Sequence, residues 1–249
     1  LGFEIDEATR APIRAMAELL ENVPAARLFD EMLKLLMSGH SVACILRLRA
    51  ERLHHGVLPL LDVILEQPEG ERFVMLALSR TDERVRAGKH IAPGFLFATL
   101  LWHEVLKRWK AREAAGEHRI PALDAAIDDV QVLQTEKLAI QRRYTSDMRE
   151  IWMLQPRLER RNGRNAFKLL ELLRLRAGYD FLLLRCAADE APAELGDWWT
   201  RFMAADEAER EQLVAGLGRS AEAGAAGPRR RRRRRSNGKS ARAEGGSDE

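Results

Sequence analysis

Apolar residues in this chain recur at the spacing of a helix and almost nowhere at that of a strand. The clearest case is Phe95, Thr99, Trp102, Leu106 and Trp109, a stripe that runs along one side of an α-helix. Leu123, Ile127 and Val130 repeat the pattern. Ile13, Met16, Ala17 and Leu20 do so near the start, with Thr9 as a candidate N-cap and Pro12 in the first turn. Pro24 opens the next helix, where its missing N–H costs no hydrogen bond. Leu28, Met32, Leu35 and Leu36 form that helix's apolar face, and Ser38-Gly39 closes it. Further helices are predicted over about 42–54, 57–66, 70–87, 93–114, 121–144, 145–154, 165–174 and 176–187. Leu1, Phe3 and Ile5 alternate with period two, but no segment makes a convincing strand, so the expected class is all-α, a multi-helix bundle.

The chain has 249 residues, 46% hydrophobic and 32% charged, enough for one large domain or two modest ones with a real core. No apolar run approaches the ~20 residues that a membrane-spanning helix needs. Glu4, Asp6 and Glu7 are acidic where a secretion signal would be basic. Cys44 and Cys186 form no Cys-x-x-Cys pair, so neither a disulfide framework nor a zinc knuckle is expected. A reducing, cytoplasmic compartment fits such cysteine usage. The formal net charge is +3, but residues 1–228 alone carry a slight acidic excess. The basic character belongs to the end of the chain, where Arg229, Arg230, Arg231, Arg232, Arg233, Arg234 and Arg235 are consecutive. From Gly216 onward apolar residues almost vanish, and 217–249 is expected to be disordered, because it cannot offset its own ordering entropy. Turn, cap and charged residues cluster near 79–92, suggesting three parts: 1–80, 81–216 and the 217–249 tail.

Most candidate chemistry reads as ordinary. "HEVLK" at 103–107 begins like a zinc-protease helix, but Lys107 stands where the second histidine would be, and zinc needs three or four ligands. His54 and His55 are adjacent, so on a helix they diverge. Surface or loop positions are expected for all three histidines. Asp128-Asp129 and Asp189-Glu190 lack Asp-x-Asp spacing and read as solvated helix charges. No phosphate-cradling glycine loop is present, and no serine or cysteine sits in a nucleophile-elbow context. The residues therefore show no catalytic centre. Arg27, Glu31 and Lys34 share one helix face, either as a solvated ion-pair stripe or as a polar ridge facing a cleft. In 149–186, Arg149, Arg157, Arg160, Arg161, Arg164, Arg174 and Arg176 interleave with Trp152, Tyr179 and Phe181. That mixture suits single-stranded RNA if the rings stack on bases. It is equally a core with arginines outside, the preferred reading for Trp152 and Phe181. The seven-arginine run should bind nucleic acid without sequence preference, unless it is a targeting or solubility tail.

Several stretches together resemble the C-terminal two-thirds of the bacterial poly(A) polymerases, a branch of the nucleotidyltransferase superfamily that also contains the CCA-adding enzymes. "LGFEIDEAT" (1–9) resembles the end of the family's neck motif, and "PAARLFDEMLKLLMSGH" (24–40) the helix that follows. "REIWMLQPRLERRNG" (149–163), "RLRAGYDFLLLRC" (174–186), "LGDWW" (195–199) and the polyarginine run resemble the C-terminal domain of the poly(A) branch. The resemblance implies an all-α neck and body bundle, with neck end and RNA-binding helices over 1–80 and the body over 81–216. It implies Arg27, Glu31 and Lys34 as neck support for a nucleotide site. It implies RNA contacts from Arg157, Arg160, Arg161, Arg164, Arg174, Arg176 and Arg229–Arg235. The family's head domain, with its Gly-Ser loop and paired aspartates, uses ATP and Mg²⁺ to add AMP to RNA 3′ ends. Those motifs are expected upstream of Leu1, and the chain by itself is expected to be inactive and to bind no metal. Single-stranded RNA 3′ ends are the expected partner, with an RNA helicase or degradation machinery as a further one. A monomer and no membrane association are expected. Two alternatives stay open: a stand-alone RNA-binding adaptor, and part of a CCA-adding enzyme.

Overall fold

The computed structural model describes residues 4–51, 53, 68–138, 140–161 and 163–225. Among them are twelve α-helices and no strand, as the helical periodicity demands. The helix expected over 57–66, the pair His54-His55 and Arg229–Arg235 lie outside the described residues.

The N-terminal segment departs from the single helix expected after Thr9. Asp6, not Thr9, is the N-cap, and its carboxylate accepts from Ala8 N at 3.1 Å. Helix α1 (Glu7–Arg10) then stops, because Pro12 has no N–H to continue the ladder. Turns follow, and a 3-10 helix covers Ala17–Asn22. Met16, expected on a buried stripe, is 53% exposed. Helix α2 (Ala25–Leu36) starts after Pro24 as predicted and buries Phe29, Met32 and Leu36, while Leu28 and Leu35 are only half-buried. Gly39, at φ +80°, makes the left-handed turn into α3 (Ser41–Ala50). The N-terminal segment is tied to α3 by charge: Arg10, Arg14 and Arg47 converge on Glu51 at 2.7, 3.3 and 3.3 Å.

Helix α4 (Pro68–Arg86) runs through most of the stretch where a division was expected. Asp82 on it accepts from the backbone N–H groups of Ser41 and Val42 at 2.8 and 3.1 Å. The helix expected over 93–114 is two, α5 (Pro93–Leu100) and α6 (Trp102–Ala114), with a turn at Leu101. Its predicted stripe nevertheless faces inward: Thr99, Trp102 and Trp109 are buried, and Phe95 and Leu106 pack against the core. Next come α7 (Arg119–Leu138) and α8 (Arg142–Leu158), longer at its C-terminus than expected. Helices α9 (Gly163–Leu170), α10 (Leu175–Ala187), α11 (Ala193–Ala204) and α12 (Glu207–Ala225) complete the bundle. The last two were not expected from periodicity. Helix α12 also carries 217–225, which correspond to the start of the expected disordered tail.

Two glycines let helices approach one face of α8 closely. A Cβ on Gly94 of α5 would lie 2.6 Å from Asp147 Cβ, and one on Gly178 of α10 would lie 2.7 Å from Leu154 Cδ1. Around these contacts lie two apolar cores. The larger draws on α2 through α8 and on α10. The smaller joins the C-terminal end of α8 to α9, α10 and α11, with Trp198, Trp199 and Phe202 at its centre. Phe181 of α10 is fully buried in the larger core, with its ring against Phe73 of α4, Phe95 of α5 and Trp102 of α6 at 5.5, 6.3 and 5.3 Å, all edge-on.

Two predictions follow from this arrangement. Phe181→Ala should lower stability by about 3–5 kcal/mol, the usual cost of emptying a large aromatic site, read as an earlier midpoint in urea; an unchanged midpoint would contradict the central place given to this ring. The second concerns acid. Burial pushes the Glu51 carboxyl up, but Arg10, Arg47 and Arg14 together outweigh it and hold its pKa below the ordinary 4.5. A depressed carboxylate stabilises the fold above its unfolded value and loses that effect as pH falls through the folded one. Hydrogen exchange in 7–22 should therefore rise below about pH 4.5 before it rises in α10, and Glu51→Gln should show the same loosening at neutral pH.

Candidate nucleic-acid interface

The strongest cationic feature among the described residues is the turn between α8 and α9. The last carbonyls of α8 have no helical partner of their own. Asn165 Nδ2 donates to the carbonyls of Arg157 and Arg160 at 3.2 and 2.8 Å, and Trp199 Nε1 donates to Leu158 O at 2.8 Å. These bonds anchor a tight turn to the smaller core. From it project Arg157, Arg160 and Arg164, exposed, and Arg161, half-buried. None of the four has an ion pair among the described residues. Part of their charge complements the negative end of the α8 dipole, but four cations exceed what one helix end calls for.

The other arginines expected to touch RNA are internally neutralised. Arg174 reaches Asp147 at 2.5 Å and Glu150 at 3.7 Å. Arg176 pairs with Asp180 at 3.1 Å, one turn along α10, and that hydrogen bond raises its pKa. Arg149 bridges Asp128 and Asp124 of α7, each at 2.5 Å. The interleaved aromatics are core, not stacking platforms: Trp152 and Phe181 are fully buried and Tyr179 is 6% exposed. Trp152 Nε1 donates to Ala98 O at 3.0 Å, and the Tyr179 hydroxyl bonds Thr200 Oγ1 at 2.8 Å.

On α2, Arg27, Glu31 and Lys34 are all exposed, opposite the buried Phe29 and Met32. Glu31 pairs with Lys34 at 2.7 Å and not with Arg27. Its hydrogen bond holds the Lys34 ammonium above its usual pKa. Arg27 has no ion pair among the described residues. The α2 triad and the α8–α9 turn are therefore separate surfaces on different helices.

Histidine and carboxylate positions also differ from expectation. His103 is not a surface residue: its side chain is 14% exposed, and Nε2 lies 2.7 Å from Glu190 Oε1. The other oxygen of Glu190 accepts from Trp102 Nε1 at 3.0 Å. Glu190 is thus an acceptor for two core rings, not a solvated charge. Asp189, beside it, pairs with Arg72. Asp129 pairs with Arg112 at 2.7 Å. Among the described residues no group of three or more His, Cys, Asp or Glu side chains could hold a metal ion. Burial raises the Cys186 thiol pKa, which makes it a poor nucleophile.

Comparison with known proteins places these helices. Residues 2–65 match a family model described as the probable RNA- and SrmB-binding site of polymerase A. Residues 115–237 match the polymerase A arginine-rich C-terminus. The chain is 35% identical to poly(A) polymerase I of Haemophilus influenzae, over 86% of this chain and 48% of that protein. It is 34% identical to that of Salmonella typhi, over 86% and 47%, and 37% identical to that of Escherichia coli O6:H1, over 81% and 45%. The chain thus spans about half the length of the curated relatives it matches. It belongs to the bacterial poly(A) polymerase family, in the stretch that these two models describe.

Proposed function

We propose that this chain is the RNA-binding portion of an ATP-dependent poly(A) polymerase, which adds AMP to RNA 3′ ends in mRNA processing and decay. The observation that carries this reading is the α8–α9 turn, with four arginines that no carboxylate neutralises among the described residues. Fixed guanidinium groups without internal partners are suited to phosphate oxygens. Arg229–Arg235 would add a sequence-independent electrostatic contribution. Arg174 and Arg176 contribute less than the turn in this reading, because bringing them to a phosphate means breaking bonds to Asp147 and Asp180. Arg27 and the Glu31–Lys34 pair support the nucleotide-binding end through the neck helix.

ATP and Mg²⁺ belong, in this proposal, to a part of the enzyme that the relatives contain and this chain does not span. The polymerase works as a monomer in the cytoplasm. An RNA helicase or other degradation component docks on the helical body.

Two measurements test the proposal. First, binding of a single-stranded RNA should be followed across salt for the full chain, for 1–228, and for the combined Arg157→Ala, Arg160→Ala, Arg161→Ala, Arg164→Ala variant. Each lost phosphate contact should flatten the log K against log[salt] slope by about 0.7. Equal slopes for all three proteins would count against both arginine surfaces. Second, the purified chain should not extend an RNA primer supplied with ATP and Mg²⁺; extension would show that the chemistry resides here after all.

A further inference from the structure

A second basic surface lies on the larger core, away from the α8–α9 turn. It is a cleft of about 430 Å³ between the C-terminal half of α4, the approach to α5 and the start of α10. Its α4–α5 wall falls between the two stretches that the family models match. The floor is apolar, built on Ile91, Phe95 and Leu184. Phe95 is only half-buried, and its ring is held edge-on to Phe181 at 6.3 Å.

The walls are cationic. Arg80 and Arg84 are neighbours one turn apart on α4. Arg80 is exposed and has no ion pair among the described residues. Arg84 is steadied by donating to His90 O at 3.2 Å. Arg174 and Arg176 also line the cleft, already paired with Asp147 and Asp180. At the lip, Leu173 is 90% exposed, an apolar side chain in open water beside four guanidinium groups.

We propose that this cleft seats one nucleotide of a single-stranded RNA, with the base on the apolar floor under Leu173 and the flanking phosphates on Arg80 and Arg84. The inference rests on the RNA-binding reading and gives it a second contact point. A nucleotide alternates a flat apolar ring with an anion, and the cleft alternates an apolar floor with a cationic rim. Phe95 is the aromatic ring of that floor, and every base has a π-face that can stack on such a ring without sequence preference. A paired base cannot enter, since it would have to leave its duplex first. An acidic peptide fits less well. It could set carboxylates on the arginine rim but would bring no flat ring to the apolar floor.

The test uses the full chain with Arg80→Glu, Leu173→Ser and the double variant, since both positions are exposed and outside the cores. Anisotropy with a labelled single-stranded RNA should show about 5- to 10-fold weaker binding for each single variant, in line with one lost stacking or phosphate contact. Photocrosslinking with iodouridine-substituted RNA should label peptides from 77–95 or 173–184, and duplex RNA should not. If the intact chain binds RNA but both variants bind equally well and no crosslink falls in those peptides, the cleft inference fails and the RNA reading stands. If the intact chain binds no RNA, both fail. If polyglutamate protects the cleft where RNA does not, the site is for an acidic protein segment and the proposal is overturned.

Discussion

The fold depends on how α10 is held. Phe181 puts one ring against aromatic side chains from three other helices, and edge-on packing gives each contact a preferred geometry as well as buried area. One turn later, Arg185 lies over the Trp102 ring at 5.1 Å and reaches Gln155 and Glu159 of α8. Just past the helix end, Glu190 accepts from both Trp102 and His103. Trp102 is therefore gripped by a phenyl group, a guanidinium and a carboxylate, all supplied within ten residues of α10 and its exit. A buried charge is tolerated here because it is bonded and stacked at once. Without that grip α4, α5 and α6 would lose their common partner.

Arginine is used in two ways, and the difference separates architecture from function. Arg149 ties α8 to α7 through two aspartates, and Arg112 joins α6 to α7 through Asp129. Arg119 pairs with Glu159 and lies over Trp109 at 4.8 Å. Pairs of this exposure contribute at most about 1 kcal/mol each, so their value lies in fixing helix register. Among the arginines with no ion pair to the described residues, those at 157–164 gather at a turn and Arg80 lines a cleft. A slightly acidic body over 1–228 makes those local concentrations of positive charge more distinct.

Helical class, most helix positions and the aromatic core were legible because they follow from spacing and residue type alone. Trp102, Trp109, Trp152 and Phe181 are inside for reasons any helical stripe reveals. The first helix misread illustrates the limit: Asp6 competes with Thr9 as a cap, and only the hydrogen bond to Ala8 N decides between them. Helix α11 was legible though not expected, since Leu195, Trp198, Trp199 and Phe202 fall at i, i+3, i+4 and i+7 and are all buried; α12 offers only Leu213, Val214 and Leu217 to the smaller core. Charge partnership is a further step removed. Arg160 and Arg174 look alike in sequence, yet Arg174 meets Asp147 on another helix and Arg160 meets no carboxylate among the described residues. His103 hid for the same reason, since Glu190 is far away in the chain.

The two cationic surfaces are mechanically connected. Helices α8 and α10 contribute to both cores: Met148, Ile151, Trp152, Phe181 and Leu184 to the larger, Leu154, Leu158, Tyr179 and Leu182 to the smaller. Gly178 lets the pair touch, and Gln155 Nε2 spans them by donating to Gly178 O at 3.1 Å. The α8–α9 turn is carried at one end of this pair, and the cleft is walled by the start of α10. A close-packed pair moves as a unit, because dense interiors resist small displacements. The spacing between the two arginine surfaces is thus set by α8 and α10, and a strand of RNA engaging both would meet a rigid ruler.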